Sequence, residues 1–365
     1  MQNLFEDFAP ATKAQWLAQI EKELKGKSYE SLFWQLGDGI SVEPFYTREE
    51  MDETPQPIDF PAYSPVWKIG EDIAINTDTA AARKTLLEAL EGGVNAPRLI
   101  VQNENWTGAL EDVHLEMIEL HLAGESGKIV ADFKNYLDGQ NLNPEKLKGA
   151  FHFDPDSAAP EKAVAFFKKW KDELPHFQLF TINGTIFWKG NEHIADELFQ
   201  ILEKAVQLLD ALTDAGFPAE AIAPRIRFSI AIGVGYFAEM AKIRALKILW
   251  ANVLEAYRVP DFSIFTEVHF APAAYDENAN TNMIRGTAMA LCAAVAGADR
   301  ITVLPSNALT GAPDNFSRRI ARNVQHILQL ESHIGKVTDP AAGSYFIEKL
   351  TAAFVEKVWE KIQKL

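Results

Sequence analysis

The sequence predicts an α/β fold, a (β/α)8 TIM barrel preceded by an N-terminal extended arm. Three observations predict it. Eight short β-prone runs recur between residues 67 and 304. Helical patterns fill the intervals between them, an alternation shared by barrels and doubly wound open sheets. No G-x-G-x-x-G follows the first run, so the open sheet loses the motif that usually marks it.

The first 64 residues read as the arm, and residues 65–365 as the barrel with its C-terminal helices. Residues 12–25 form an amphipathic helix, with Trp16, Ile20 and Leu24 at helical spacing. A short strand pattern follows at Ile40-Ser41-Val42-Glu43-Pro44. Four prolines between 55 and 65 then make an extended connector. Trp16, Phe33, Trp34, Phe45 and Tyr46 give the arm more aromatic surface than a lone tail would expose. They are therefore candidate contacts with another subunit.

The strand patterns of the barrel fall at residues 67–76, 98–102, 128–133, 150–154, 178–183, 227–233, 263–269 and 300–304. Helical patterns fall at 80–90, 110–122, 144–148, 160–174, 194–215, 236–257 and 282–296, with a final pair at 316–330 and 346–365. The strands carry Thr181, Ser229, Ser263, Thr266 and Thr302. These hydroxyls fit either an interior open to something polar or backbone groups satisfied at strand ends.

A net charge of −16 argues against nucleic acid and anionic membrane as partners, since both require a basic footprint. The 365 residues are 47% hydrophobic, enough for a large core, and nowhere run to the roughly 18 apolar residues of a membrane span. The single cysteine, Cys292, excludes an internal disulfide and reads as a small buried hydrophobe. The first residues lack the basic segment and apolar run of a secretory signal, so a cytoplasmic protein is expected.

Few side-chain constellations suggest chemistry. His152 and His269 lie near strand ends, with Asp154 and Glu267 nearby, but without a recognised metal-ligand spacing. His193, Asp196 and Glu197 cluster at a helix start, where the acids suit the dipole. Gly233 and Gly235 follow a strand and precede a helix, a place for a phosphate nest that Tyr236 and Phe237 crowd. No nucleophile elbow is present. No catalytic, cofactor-binding or metal-ligating residue is assigned on these grounds.

The C-terminal stretch RRIARNVQHILQLESHIGKVTDPAAGSYFIEKLT, from Arg318 to Thr351, follows no physical rule of order. It resembles the cobalamin-dependent acyl-CoA mutases, the methylmalonyl-CoA mutase family, which carry R-I-A-R-N-x-Q-x-I-L-x-x-E-S followed by D-P-x-G-G-S-Y. Further matches are the arm from Trp34 to Thr47, Ala241-Lys242-Ile243-Arg244-Ala245 and Asn282-Met283-Ile284-Arg285-Gly286-Thr287. Gly297-Ala298-Asp299 through Leu304-Pro305 is similar to the small, non-catalytic subunits of the heterodimeric enzymes.

The resemblance implies a barrel whose relatives thread a pantetheine arm along the axis. It also implies which catalytic residues are missing. Catalytic chains carry a tyrosine where this chain has Glu71 and Asp72, and a Tyr-His pair where it has Ile186 to His193, so that Trp188 would plug the channel. Their substrate-carboxylate arginine is replaced near Leu208-Leu209-Asp210-Ala211. The cofactor motif D-x-H-x-x-G is approached only at Asp112-Val113-His114, where Met117 replaces the glycine and the histidine is expected on a helix surface. The implied role is a catalytically silent small subunit in propionate metabolism. Its partner would be a catalytic large subunit that holds adenosylcobalamin and interconverts methylmalonyl-CoA and succinyl-CoA. No cofactor is expected on this chain, the C-terminal cobalamin-binding domain is expected absent after Leu365, and a weak homodimer is expected alone. The alternative is an active acyl-CoA mutase barrel served by a separate cobalamin-binding chain.

Overall fold

The computed structural model describes residues 11–51, 66–259 and 264–364. Helix α1 (Lys13–Glu23) starts where Thr12 and Gln15 cap each other reciprocally, and it buries none of its residues. Strands β1 (Trp34–Gln35) and β2 (Ser41–Val42) pair antiparallel, with Trp34 opposite Val42. The turn between them places Gly37, Asp38 and Gly39 at positive φ. Leu36, Ile40 and Val42 are buried, so this hairpin is not a bare tail. Asp38 pairs with Lys361 at 3.4 Å, and the Tyr46 ring lies 6.1 Å from that of Phe346. The proline-rich connector and Ser263 lie outside the described residues.

The barrel strands are β3 (Lys68–Ile75), β4 (Ala96–Val101), β5 (Glu119–Ala123), β6 (Lys148–Phe151), β7 (Phe177–Gln178), β8 (Phe180–Asn183), β9 (Ile226–Ile232), β10 (Phe265–Phe270) and β11 (Arg300–Thr302). All pair parallel, in the order β7-β6-β5-β4-β3-β11-β10-β9-β8. Only Leu179 separates β7 from β8. Its amide donates to Arg225 O, and the Thr181 amide donates to Phe153 O, each at 2.9 Å, so this run joins the two ends of the sheet. Counted as one strand, it makes the barrel eight-stranded.

Around the barrel lie α2 (Thr79–Glu91), α3 (Ser126–Gly139), α4 (Pro160–Trp170), α5 (Ile194–Asp214), α6 (Ala219–Ile222), α7 (Tyr236–Ala256), α8 (Ala279–Val295), α9 (Asn315–His326) and α10 (Tyr345–Ile362). Period-two alternation sends Ile69, Ile73, Leu99, Leu122, Ile182, Phe228, Ile230 and Val268 outward into the helix layer, where all are buried.

Four expectations are corrected. Residues 128–133 are not a strand: Ile129, Val130, Phe133 and Leu137 are buried on one face of α3. The third strand is β5, which falls inside the region expected to be a helix at 110–122. There Asp112 adopts φ +64, the chain makes a single 3-10 turn at Leu115–Met117, and Met117 is 79% exposed. Both segments are short apolar runs whose period is ambiguous by sequence alone. His114 accordingly precedes a 3-10 turn and does not sit on a helix surface. The helix expected to run to residue 330 widens into a π turn at Ile327–Glu331.

Candidate functional site

Strand register fixes what points into the barrel. Asp72 is level with Arg98, Arg98 with His121, and His121 with Ala150. Likewise Ser229 is level with Glu267, and Glu267 with Arg300. Barrel interiors ordinarily hold layers of branched aliphatics. This one holds charge.

Glu267 is the hub. Its Oε2 accepts from Arg227 and, at 3.1 Å, from Arg300, and all three side chains are fully buried. Arg227 reaches across the barrel to His121 Nδ1 at 2.6 Å. His269 Nε2 lies 3.1 Å and His152 Nδ1 3.5 Å from Glu267 Oε1. Arg300 also donates to Ala96 O and to Thr302 Oγ1. Gly70 makes room for it, because a Cβ there would lie 2.6 Å from the Arg300 guanidinium carbon and from Thr302 Oγ1.

Burial raises the Glu267 carboxyl, but Arg227 and the imidazoles outweigh it and hold the group well below the usual carboxylate range. Burial, reinforced by Arg227 and Arg300, pushes His121 well below its ordinary value. Burial also leads the depression of His152 and His269. Arg227 is lowered by burial to about 10, against the pull of Glu267. The interior at neutral pH is thus ionised acid and arginine with neutral imidazoles.

Above this layer, at the carboxyl-terminal ends of the strands, opens a cavity of about 510 Å3. Asp72, Arg98, His269 and Thr302 contribute to its polar lining, and Trp188, Phe270, Pro272 and Leu304 to its apolar walls. Arg98 grips Asp72 bidentately, with Nε at 2.8 Å from Oδ1. Burial would raise the Asp72 carboxyl, yet Arg98 and the other nearby positive charge bring it to about 2.

Trp188 does not plug this mouth. Its Nε1 donates to Glu239 at 2.9 Å, and its ring lies where a Gly233 Cβ would be 2.6 Å away, so it is a wall of the cavity. The obstruction on the axis is the layer of fully buried Arg227, Glu267 and Arg300 below. Alternating Arg227, Ser229 and Ala231 on β9, with Glu267 and His269 two apart on β10, was the available signal.

The other sequence candidates separate. His121, His152 and Glu267 hold ligand atoms within 4.8 Å of one another. However, Arg227 and Arg300 already hold the one carboxylate, and a divalent cation would sit beside both guanidiniums. Asp154 stands apart, accepting from the Asn183 amide and pairing with Lys204 at 2.6 Å. Of the helix-start cluster, His193 is exposed and Asp196 pairs with Lys361. Glu197 is buried against Lys242 at 3.0 Å. The Gly233 amide is taken by Glu239 at 2.7 Å, so a carboxylate fills the supposed phosphate nest. Cys292 is buried, its thiol directed at Tyr236 O and raised by burial. Asp112 pairs with Arg83, and no strand-end loop presents His114, so this segment does not fit the lower ligand of a corrin.

The family-like motifs are structural joints. Arg318 and Arg322 of α9 clasp Glu71 of β3, at 2.6 and 2.8 Å, while Gln325 accepts from the Trp67 indole. Arg244 of α7 joins Asp339 to Glu348 of α10. Lys242 donates to Ala231 O and to Glu197, and pairs with Glu239. Asn282 bridges the Asp276 amide and Ser306 O.

A protein-family model described as methylmalonyl-CoA mutase matches residues 120–365. The chain belongs to the methylmalonyl-CoA mutase family. Relatives named methylmalonyl-CoA mutase small subunit include one from Porphyromonas gingivalis, 31% identical over 98% of this chain and 63% of its own length. Another, from Streptomyces virginiae, is 28% identical over all of this chain and 65% of its own. A third, from Propionibacterium freudenreichii subsp. shermanii, is 27% identical over all of this chain and 63% of its own. The chain thus spans under two thirds of the length of these mutase relatives. Among its described helices, none is long and apolar enough to cross a membrane.

Proposed function

We propose that this chain is the small, catalytically silent barrel subunit of a heterodimeric methylmalonyl-CoA mutase. Its partner is a large subunit that holds adenosylcobalamin and converts methylmalonyl-CoA to succinyl-CoA. One observation carries this reading: the axis, which a pantetheine arm would need, is filled by fully buried Arg227, Glu267 and Arg300. Replacing them with a neutral ligand arm would mean breaking a paired, desolvated ion cluster.

The residues at the catalytic positions of the family support the same reading. Glu71 is spent on Arg318 and Arg322, Trp188 on Glu239, and Leu208 and Leu209 are buried in α5. The cavity above the ion layer favours a second reading, an active barrel served by a separate cobalamin-binding chain, because barrel enzymes work at that face.

The arm supplies the subunit contact in this proposal. Trp16 is 53% and Trp34 38% exposed, whereas Phe33, Phe45 and Tyr46 are half-buried, with Phe45 edge-on to Trp16. Changing Trp16 and Trp34 together to serine leaves the buried hairpin residues in place. It should weaken large-subunit binding by more than about tenfold in a pull-down titration. Undiminished affinity would mean that the arm only clads its own barrel.

A further inference from the structure

The part of the mouth wall that holds Trp188 is a loop, residues 184–193, between β8 and α5. On its barrel side the loop is anchored. The Trp188 indole donates to Glu239 at 2.9 Å, and the Asn191 side chain occupies the space that a Cβ on Gly235 would need. On its exposed side, at Glu192, stands the hairpin of the arm. A Cβ on Gly37, in the turn between β1 and β2, would lie 2.9 Å from the Glu192 carbonyl carbon and closer still to its oxygen. Lys361 of α10 ties the two segments together, reaching Asp38 of the turn at 3.4 Å and Asp196 of α5 at 2.6 Å. Among the described residues no hydrogen bond joins the turn to the loop, so backbone simply leans on backbone. A partly exposed ion pair such as Asp38 with Lys361 adds little to that seat. Trp34, exposed in β1 just before the turn, belongs to the same hairpin.

We propose that the arm hairpin is a strap on the mouth. With Gly37 seated against Glu192, the loop is held and Trp188 stays in the cavity wall. Lifting the turn frees the loop and widens the cavity. Leu36, Ile40 and Val42 are buried on either side of the turn and keep the hairpin attached. Gly37 and Gly39 flank Asp38, so the turn bends without disturbing the two strands. A partner that takes hold of Trp34 therefore acts on the mouth. This last step rests on the arm being the subunit contact, whereas the hold of the hairpin on the loop does not.

Fluorine NMR of the full chain carrying 5-fluorotryptophan tests this, with the Trp188 signal identified by its loss in Trp188→Phe. Gly37→Ala, which cannot sit against Glu192, should shift that signal and raise its broadening by a soluble gadolinium chelate several-fold. The signals of fully buried Trp106 and Trp250 should stay in place. Should Gly37→Ala fail to fold, Asp38→Asn, which keeps the turn and removes the pair with Lys361, should move the Trp188 signal the same way. Coupling acts in both directions. Trp188→Phe, which loses the bond to Glu239, should therefore speed amide exchange at Ile40, whose amide closes the turn on Gly37 O at 2.8 Å. A Trp188 signal unmoved in both variants would overturn the strap. So would Trp106 and Trp250 moving as much as Trp188, or unchanged exchange at Ile40. Added large subunit should shift the Trp188 signal as well. Binding that leaves Trp188 in place would overturn control by the partner. Failure to bind at all would count against the proposed function, while the variants still decide the strap.

Discussion

Glu267 is the residue on which the interior turns, because its oxygens neutralise two guanidiniums that cannot reach water. Glu267→Gln keeps the shape and removes the charge, leaving Arg227 and Arg300 mutually repelling in a desolvated layer. Urea unfolding should show a loss of about 3–5 kcal/mol. A loss below about 1 kcal/mol would mean that water already screens the cluster. The imidazoles add a pH dependence whose sign follows from their surroundings. His121 and His152 have folded values well below the ordinary one, so between those values and about 6.5 the unfolded chain binds protons that the native chain refuses. Their contribution is complete above about pH 6.5 and is lost as pH falls. Glu197 opposes them. Burial raises it to about 7, so it stays protonated in the native state where the unfolded carboxyl ionises, and its effect weakens stability as pH rises from about 4.5 to 7. Two histidines against one acid leave at most one net proton, reached only as the unfolded imidazoles become fully protonated towards pH 5.5. Unfolding free energy should therefore fall by roughly 1 kcal/mol from pH 6.5 to 5.5. A flat profile there would show the imidazoles to be hydrated.

At the scale of elements, the barrel depends on a few close approaches. Gly70→Ala would drive a methyl group into the Arg300 guanidinium and Thr302. Thermal unfolding should register a cost of about 1–3 kcal/mol, since the ion layer cannot move aside without unpairing Glu267. Most elements were legible because period and punctuation agreed, as in α5, where Leu198, Ile201, Leu202, Ala205 and Leu209 are buried at helical spacing. The segment from Leu110 to Phe133 was misread because Leu120-His121-Leu122 alternates over only three residues, within a longer run that also satisfies a helical period. The same ambiguity of period hides the interior. His121 sat inside a supposed helix, so its place level with Arg98 and facing Arg227 could not be read. The motif from Arg318 to Gln325 identified the family, yet its physical task, clamping α9 onto Glu71 and Trp67, needed the contacts themselves.

For the whole molecule, the family motifs and the charged axis bear on different questions. The motifs are joints between helices and barrel, so they persist in a chain with or without activity. In the proposed function the interior is what would exclude a thioester, because the axis below the mouth holds buried paired charges that are costly to separate. The most direct measurement is turnover of methylmalonyl-CoA by the purified chain with adenosylcobalamin, alone and then with the large subunit added. The expected result is none above background alone, and turnover only in the mixture. Turnover by the chain alone, or with only a cobalamin-binding partner lacking its own barrel, would contradict a silent subunit and establish this barrel as the catalyst.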